Sequence, residues 1–261
     1  MKKVFTCVLF LILVIGTKAY GQEETYEVHF IDTKQSDCIL IKASDKNYMI
    51  DTGSKTMDPK VIDYLSKEKI SRIDSIILTH YHDDHYGGLK TILSSKEVGA
   101  VLLPDYNSKY RAFVNKVVKN SGVKIQFLDN VSEITYKDMK LKVICPKKYD
   151  NKVENNNSII LIGEIGGIKY AFLGDCEKEE EKYFLSLKEI YNCHIVKIPH
   201  HGLDTSSTKK IIKALNPQIA IVTSDGIESP SVEVINRLEK QNSIVYRTDK
   251  YGSIVFTNKM D

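Results

Sequence analysis

The chain has 261 residues, of which 42% are hydrophobic and 27% charged. That balance excludes a wholly disordered or collagen-like protein and is enough for one large domain with a sizeable core. The formal charge of +3 belongs to the first 21 residues: taking Lys2, Lys3 and Lys18 from the 37 basic residues leaves 34, equal to the 34 acidic ones, so the rest of the chain has no global pull toward nucleic acid or anionic lipid.

Lys2 and Lys3 precede an apolar run from Val4 to Gly16. Lys18 breaks the run, and Ala19-Tyr20-Gly21 puts small residues where a signal peptidase reads. The run is short for a membrane span, which needs about 20 residues. The sequence predicts a secretory signal peptide over 1–21, cleaved after Gly21 or Ala19, and one domain over 22–261. That domain is expected to be secreted or extracytoplasmic, without stable membrane insertion; an uncleaved membrane anchor is the alternative. Cys38, Cys145, Cys176 and Cys193 are irregularly spaced and fit either two disulfides or buried free thiols.

Short apolar or β-branched segments predict strands over 27–31, 38–42 and 48–50. Residues 59–67 read as a helix with Asp58 as its cap. A buried strand over 73–78, a helix over 87–93, a strand over 100–103 and a helix over 109–119 follow, then a strand-rich stretch over 124–144. In the second half, strands over 158–164 and 169–173 flank Gly166-Gly167, a hairpin signal. A helix over 177–187, a strand over 195–198 and a helix over 208–215 come next. The chain closes as a strand over 219–223, a helix over 231–241 and strands over 243–247 and 253–257. Two successive β-rich halves with flanking helices predict an α/β protein of two packed sheets with helices outside.

The chemistry is concentrated at strand ends. Thr79-His80-Tyr81-His82-Asp83-Asp84-His85-Tyr86-Gly87-Gly88 follows a buried strand and holds three of the seven histidines within six residues. Alternation in an extended segment would put His80, His82 and Asp84 on one side, with His85 turning back toward them. Three imidazoles and a carboxylate suit a borderline metal such as zinc, and they outnumber the ligands of one open site, so two metals are expected. Gly87-Gly88 is expected to let the backbone bend sharply and approach closely. Gly174-Asp175, Pro199-His200-His201-Gly202 and Asn155-Asn156-Asn157-Ser158 also flank apolar strands. Singly they read as a helix cap or a turn; together with the histidine run they form one convergent site.

With Val28-His29-Phe30-Ile31-Asp32 and Ile50-Asp51-Thr52-Gly53 ahead of them, these motifs stand in the order found in metallo-β-lactamase-fold hydrolases. The sequence resembles most the hydrolase domain of ComEC-type competence proteins, which also carries an Asn/Ser segment and an Arg-Thr-Asp near its end, here Arg247-Thr248-Asp249. Secreted phosphorylcholine esterases are similar too. The resemblance spans about residues 26–257 and implies a four-layer αββα sandwich: two mixed sheets with helices on their outer faces. It implies that His80 and His82 bind a first divalent transition metal and Asp84 and His85 a second. Zinc is expected, with manganese or iron as alternatives. Asp175 would bridge the ions. Asn157 stands where many relatives place a third histidine. His201 is expected as a ligand and His200 as a general acid, with the reverse open. Asp51 is expected to orient ligands from behind.

Two departures stand out. The Gly-Gln-Gly-Asp turn of the subgroup is Lys34-Gln35-Ser36-Asp37 here, and a His-Pro near the last helix is Ser229-Pro230. The implied reaction is hydrolysis by a metal-bridging hydroxide positioned by Asp84 and Asp175, with His200 protonating the leaving oxygen. A phosphodiester of extracellular nucleic acid or of a wall polymer is the expected substrate. A β-lactamase or lactonase, or a degenerate domain that binds without turnover, are the alternatives. Oligomeric state is not encoded in any motif.

Overall fold

The structure is a computed structural model that describes residues 24–188 and 192–258. The expected signal peptide lies outside the described residues. Among the described residues no helix is long and apolar enough to cross a membrane.

Among the described residues, fourteen strands form two seven-stranded sheets. Six strands of the first sheet come from the first half: β1 (Tyr26–Phe30), β2 (Ile39–Ala43), β3 (Lys46–Ile50), β4 (Arg72–Ile77), β5 (Glu97–Pro104) and β6 (Lys124–Leu128). The second sheet holds β7 (Glu133–Tyr136), β8 (Met139–Ile144), β9 (Ile160–Ile165), β10 (Ile168–Phe172), β11 (Ile195–Lys197), β12 (Ile219–Val222) and β13 (Ile244–Arg247). The last strand, β14 (Ile254–Thr257), crosses back to pair with β1, with Phe30 opposite Ile254. Each sheet is half antiparallel and half parallel: β14-β1-β2-β3 runs into parallel β3-β4-β5-β6, and β7-β8-β9-β10 into parallel β10-β11-β12-β13. In parallel sheets, binding sites form beyond the carboxyl ends of the strands. In this chain β3, β4, β10, β11 and β12 lead directly into Asp51, Thr79-His80, Asp175, His200-His201 and Thr223.

Alternation along the strands divides the apolar residues into layers. Phe30, Ile39, Ile41, Leu161, Phe172 and Ile195 meet between the sheets, where the Phe30 and Phe172 rings lie 6.1 Å apart. On the outer face of the first sheet, Leu40 and Met49 pack under α1 (Asp58–Lys67), α3 (Leu89–Ser95) and α4 (Arg111–Ser121). On the outer face of the second, Val196 and Ala220 pack under α5 (Lys178–Ser186), α6 (Lys209–Leu215) and α7 (Val232–Lys240). The result is the four-layer αββα sandwich.

Local details differ from the sequence reading. Asp58 is the first residue of α1, with Met57 at the cap position, and its carboxylate accepts from the Thr91 hydroxyl of α3. The side chain therefore ties two helices together instead of capping one. The helix expected over 87–93 is α3, and a further short helix, α2 (Asp83–Tyr86), precedes it. Gly87 and Gly88 keep helical dihedrals between them and make no sharp bend. Close approach is what requires glycine: a Cβ on Gly88 would lie 2.3 Å from the Thr52 carbonyl oxygen. Gly166 and Gly167 form the expected hairpin turn at φ of 55° and 80°, a region open to glycine at little cost. The Arg-Thr-Asp segment begins a short helix, α8 (Thr248–Tyr251). Among the described residues, Cys38, Cys145, Cys176 and Cys193 are free thiols.

One buried acid makes stability depend on pH. Glu180 of α5 is 4% exposed, its Oε1 has no hydrogen-bond partner, and burial pushes its carboxyl up to about 8. The folded state thus holds a proton that the unfolded chain releases near 4.5. This contribution is fully present below that value and is lost as pH rises through about 8. Glu180→Gln should flatten the decline, read as the difference in urea midpoint between pH 5 and pH 9. An unchanged difference would exclude Glu180 as its source.

Candidate metal centre

The loops at the carboxyl ends of the first sheet are stitched together by their backbones. The Asp37 amide donates to the Asp84 carbonyl, Thr52 to His85, Gly53 to Asp37 and Gly88 to Gly53. This network fixes α2 against the β1–β2 loop and the turn after β3. Alternation accounts for His80 and His82, whose Nε2 and Nδ1 lie 3.2 Å apart. It does not account for Asp84, which stands in α2; a helical turn, not an extended segment, brings it and His85 to the site.

The second sheet supplies the opposite wall. Gly174, at φ of 52°, lets the chain pass where a Cβ would sit 3.0 Å from Thr79 Cβ. The Asp175 amide then donates to Ser158 Oγ. His200, His201 and Gly202 all have positive φ, uncommon for two successive non-glycine residues and a mark of functional sites. This left-handed turn buries the His201 ring, and its Nδ1 meets the Thr223 carbonyl at 3.1 Å.

Four residues converge from both sheets. Asp84, His85, Asp175 and His201 each offer a ligand atom within 4.8 Å of the others. Asp175 Oδ2 lies 3.2 Å from His85 Nε2 and 3.4 Å from His201 Nε2, and Asp84 Oδ2 lies 3.1 Å from His201 Nε2. Behind them, Asp51 accepts from the Thr79 amide and hydroxyl and meets His85 Nδ1 at 2.7 Å. Asp51 thereby turns His85 Nε2 toward Asp175, as expected of a residue that orients a ligand.

Charge balance in this group is unusual. Burial alone would push His85 and His201 down, but the carboxylates around them more than reverse it, lifting His85 well up and His201 to about 9. Burial would raise Asp175; the two imidazoles hold it well below the usual carboxylate range instead. Burial keeps Asp51 raised and His80 well lowered. The carboxylates favour positive charge at this point, of the kind a bound cation would supply. His85 Nε2 and Asp175 Oδ1 are buried without a hydrogen-bond partner. Orphaned polar atoms within a His₂Asp₂ donor set fit a divalent ion of the zinc type.

Two expected residues behave differently. Asn157 is fully buried, and both polar atoms of its amide are taken by the backbone of Asp150: Oδ1 accepts from its amide at 2.7 Å and Nδ2 donates to its carbonyl at 2.9 Å. It locks the turn before β9 through these two bonds, and its amide oxygen keeps a second lone pair. His200 stands at the rim. Its Nε2 faces the Asn155 amide nitrogen at 3.2 Å, its Nδ1 faces Thr205 Oγ1 at 2.7 Å, and burial lowers its pKa. The amide nitrogen can only donate, so Nε2 accepts and the ring proton sits on Nδ1.

Sequence reasoning assigned no role to Asp37, Thr223 or Lys197, which lie directly behind the site. The Thr223 hydroxyl donates to Asp37 Oδ1 at 2.6 Å, and Lys197 pairs with Asp37 and stands 3.7 Å from Asp175 Oδ1. Alternation in β11 was the available signal, since it places Lys197 on the same inward face as Ile195. Arg247-Thr248-Asp249 proves to be a brace: Arg247 grips the Asp249 carboxylate, which accepts from Ser224 beside Thr223.

Two mixed sheets between helices, with histidines and aspartates gathered beyond their parallel strands, define a hydrolase of the metallo-β-lactamase type. The chain belongs to the metallo-β-lactamase superfamily, whose family model matches residues 31–224. Its curated relatives include ComE operon protein 3 of Bacillus subtilis, 27% identical over 89% of this chain and 33% of that protein. Recombination protein 2 of Haemophilus influenzae is 24% identical over 88% of this chain and 28% of its own length. Competence protein ComA of Neisseria gonorrhoeae is 23% identical over 94% and 35%. The chain thus spans about a third of the length of these relatives, and they bear out the resemblance to ComEC-type proteins. Among solved structures, the metallo-β-lactamase fold protein YhfI of Bacillus subtilis aligns with a TM-score of 0.62 and 15% identity, covering 90% of this chain and all of that one.

If the four-residue group holds an ion, Asp84→Ala removes an anionic ligand and should lower the metal bound per chain by half or more, measured by atomic emission on protein reconstituted with zinc. Unchanged metal content in the folded variant would exclude Asp84 as a ligand.

Proposed function

We propose that this chain is an exported hydrolase of phosphodiesters, working outside the cytoplasm after loss of residues 1–21. Asp84, His85, Asp175 and His201 would hold one divalent transition ion, and His80 and His82 would contribute to a second position. Zinc is the ion that the donor set suits best, with manganese or iron as alternatives. Such ions supply the charge that activates water and neutralises a developing oxyanion. Asp175 keeps the imidazoles of His85 and His201 together, and Asp51 holds His85 in place.

The observation that carries the substrate class is the cleft beside His82. It has a volume of about 460 Å³ and is walled by Tyr110, Tyr149, Lys109, Lys152 and Asn155. Tyr149 stacks on Tyr106, ring centroids 5.5 Å apart, and the Tyr106 hydroxyl donates to Glu154. The cleft therefore offers aromatic faces held by packing, with ammonium groups at the rim. Bases stack on such faces and phosphates meet such cations, which favours a nucleic-acid strand over a wall polymer. Relatives named for recombination and competence favour the same choice. A zero net charge outside residues 1–21 favours short or single strands over a long duplex grip. His200 would accept a hydrogen bond from substrate once the Asn155 amide is displaced.

The test is a metal-replete panel with the mature chain: single- and double-stranded DNA, bis-(p-nitrophenyl) phosphate, glycerophosphocholine and a chromogenic β-lactam. Turnover of phosphodiesters without the β-lactam is expected; the reverse pattern overturns the reading. Tyr149→Ala should raise KM for a single-stranded oligonucleotide about tenfold, within the usual range for a lost base–aromatic stack. It should leave glycerophosphocholine kinetics unchanged. An equal KM on the oligonucleotide would remove Tyr149 from substrate binding.

A further inference from the structure

Lys197 is 1% exposed. It ends β11 on the same face as Ile195, which packs in the apolar layer between the sheets, while Val196 faces the helices. An ammonium on that face is costly unless it is paired and hydrogen-bonded. Lys197 meets both conditions. It pairs with Asp37 Oδ2 from the loop after β1 and donates to the Gly174 carbonyl at 3.1 Å. Asp37 in turn accepts from Thr223. The pair spans the two sheets directly beneath the metal-binding group.

The two oxygens of Asp175 divide between the two sides. Oδ2 faces His85 and His201, at 3.2 and 3.4 Å. Oδ1 points the other way, has no hydrogen bond, and faces the Lys197 ammonium at 3.7 Å. We propose that Lys197 is a positioning residue for the metal centre: clamped by Asp37 and the Gly174 carbonyl, its ammonium fixes the rotation of the Asp175 carboxylate and so presents Oδ2 between His85 and His201. The inference rests on the metal-binding reading above. It differs from a plain structural ion pair, which would serve only to neutralise Asp37.

Charge-neutral replacement separates the two. Asp37→Asn with Lys197→Met removes one negative and one positive charge, so the net charge beneath the site is unchanged. Asp37 also faces His201 Nδ1 at 3.5 Å, so Asp37→Asn alone is the reference. A structural pair leaves the double variant no weaker than that single one; loss of a positioning cation does not. Zinc affinity is read by competition with a chromogenic chelator, and folding by the unfolding midpoint. The folded double variant should bind zinc about 10–100-fold more weakly than Asp37→Asn, the usual cost of losing a partner behind a ligand. A folded double variant that matches Asp37→Asn overturns the proposal. Should the double variant fail to fold, Lys197→Met decides alone, and parent-like affinity there overturns it. A parent chain with no zinc affinity overturns the hydrolase reading, and this inference with it.

Discussion

Carboxylates placed within a few ångströms of one another repel, by about 4 kcal/mol for two unit charges 4 Å apart at an effective dielectric of 20. Asp37, Asp51, Asp84 and Asp175 are held around one point, three of them fully buried. Nothing in an apolar sandwich would tolerate that density without positive partners. Lys197, His85 and His201 are those partners, and each one touches at least two of the four acids. The raised imidazoles and the orphaned atoms of His85 and Asp175 show that protein groups alone balance the set incompletely. A divalent cation would complete it.

The fold supplies the rigid frame that such a concentration of charge requires. Each sheet contributes the carboxyl ends of its parallel strands, and strands of both halves build the apolar layer between the sheets. The acids are therefore held by strand ends and by short backbone-bonded turns rather than by free loops. Asp37 is tied through its own amide to Asp84, so the charge behind the site and the ligand in front of it move together. Asp51 and Asp84 come from the first sheet, Asp175 and His201 from the second. The metal-binding group is thus also a joint between the two halves of the sandwich.

The cleft adds a different chemistry beside that joint. Its tyrosines and lysines come from the segment leading into α4 and from the turn before β9, neither of which belongs to the charged centre. Asn155 links the two regions, since its amide donates to Glu177 and faces His200 while lining the cleft. In the proposed function, recognition and chemistry would be built on separate segments that share one wall.

Much of this was legible in the chain itself. Periodicity placed most strands and helices to within a few residues, because buried strands and amphipathic helices must repeat at 2 and 3.6 residues wherever the core lies. The histidine run, Gly174-Asp175 and His200-His201 were legible because ligand-type residues at apolar strand ends have few other uses. What sequence could not decide depends on contacts across long separations. The pairing of β14 with β1 joins residues more than 220 positions apart. Asn157 and His200 look like ligand and acid by position; that they are hydrogen-bonded to Asp150, Asn155 and Thr205 is decided by the folded chain, which brings these partners within reach. Lys197 reads as an ordinary lysine at the edge of an apolar run. Alternation puts it on the face of Ile195; tertiary structure sets beside that face Asp37 and Asp175, the charges it can answer once burial removes water.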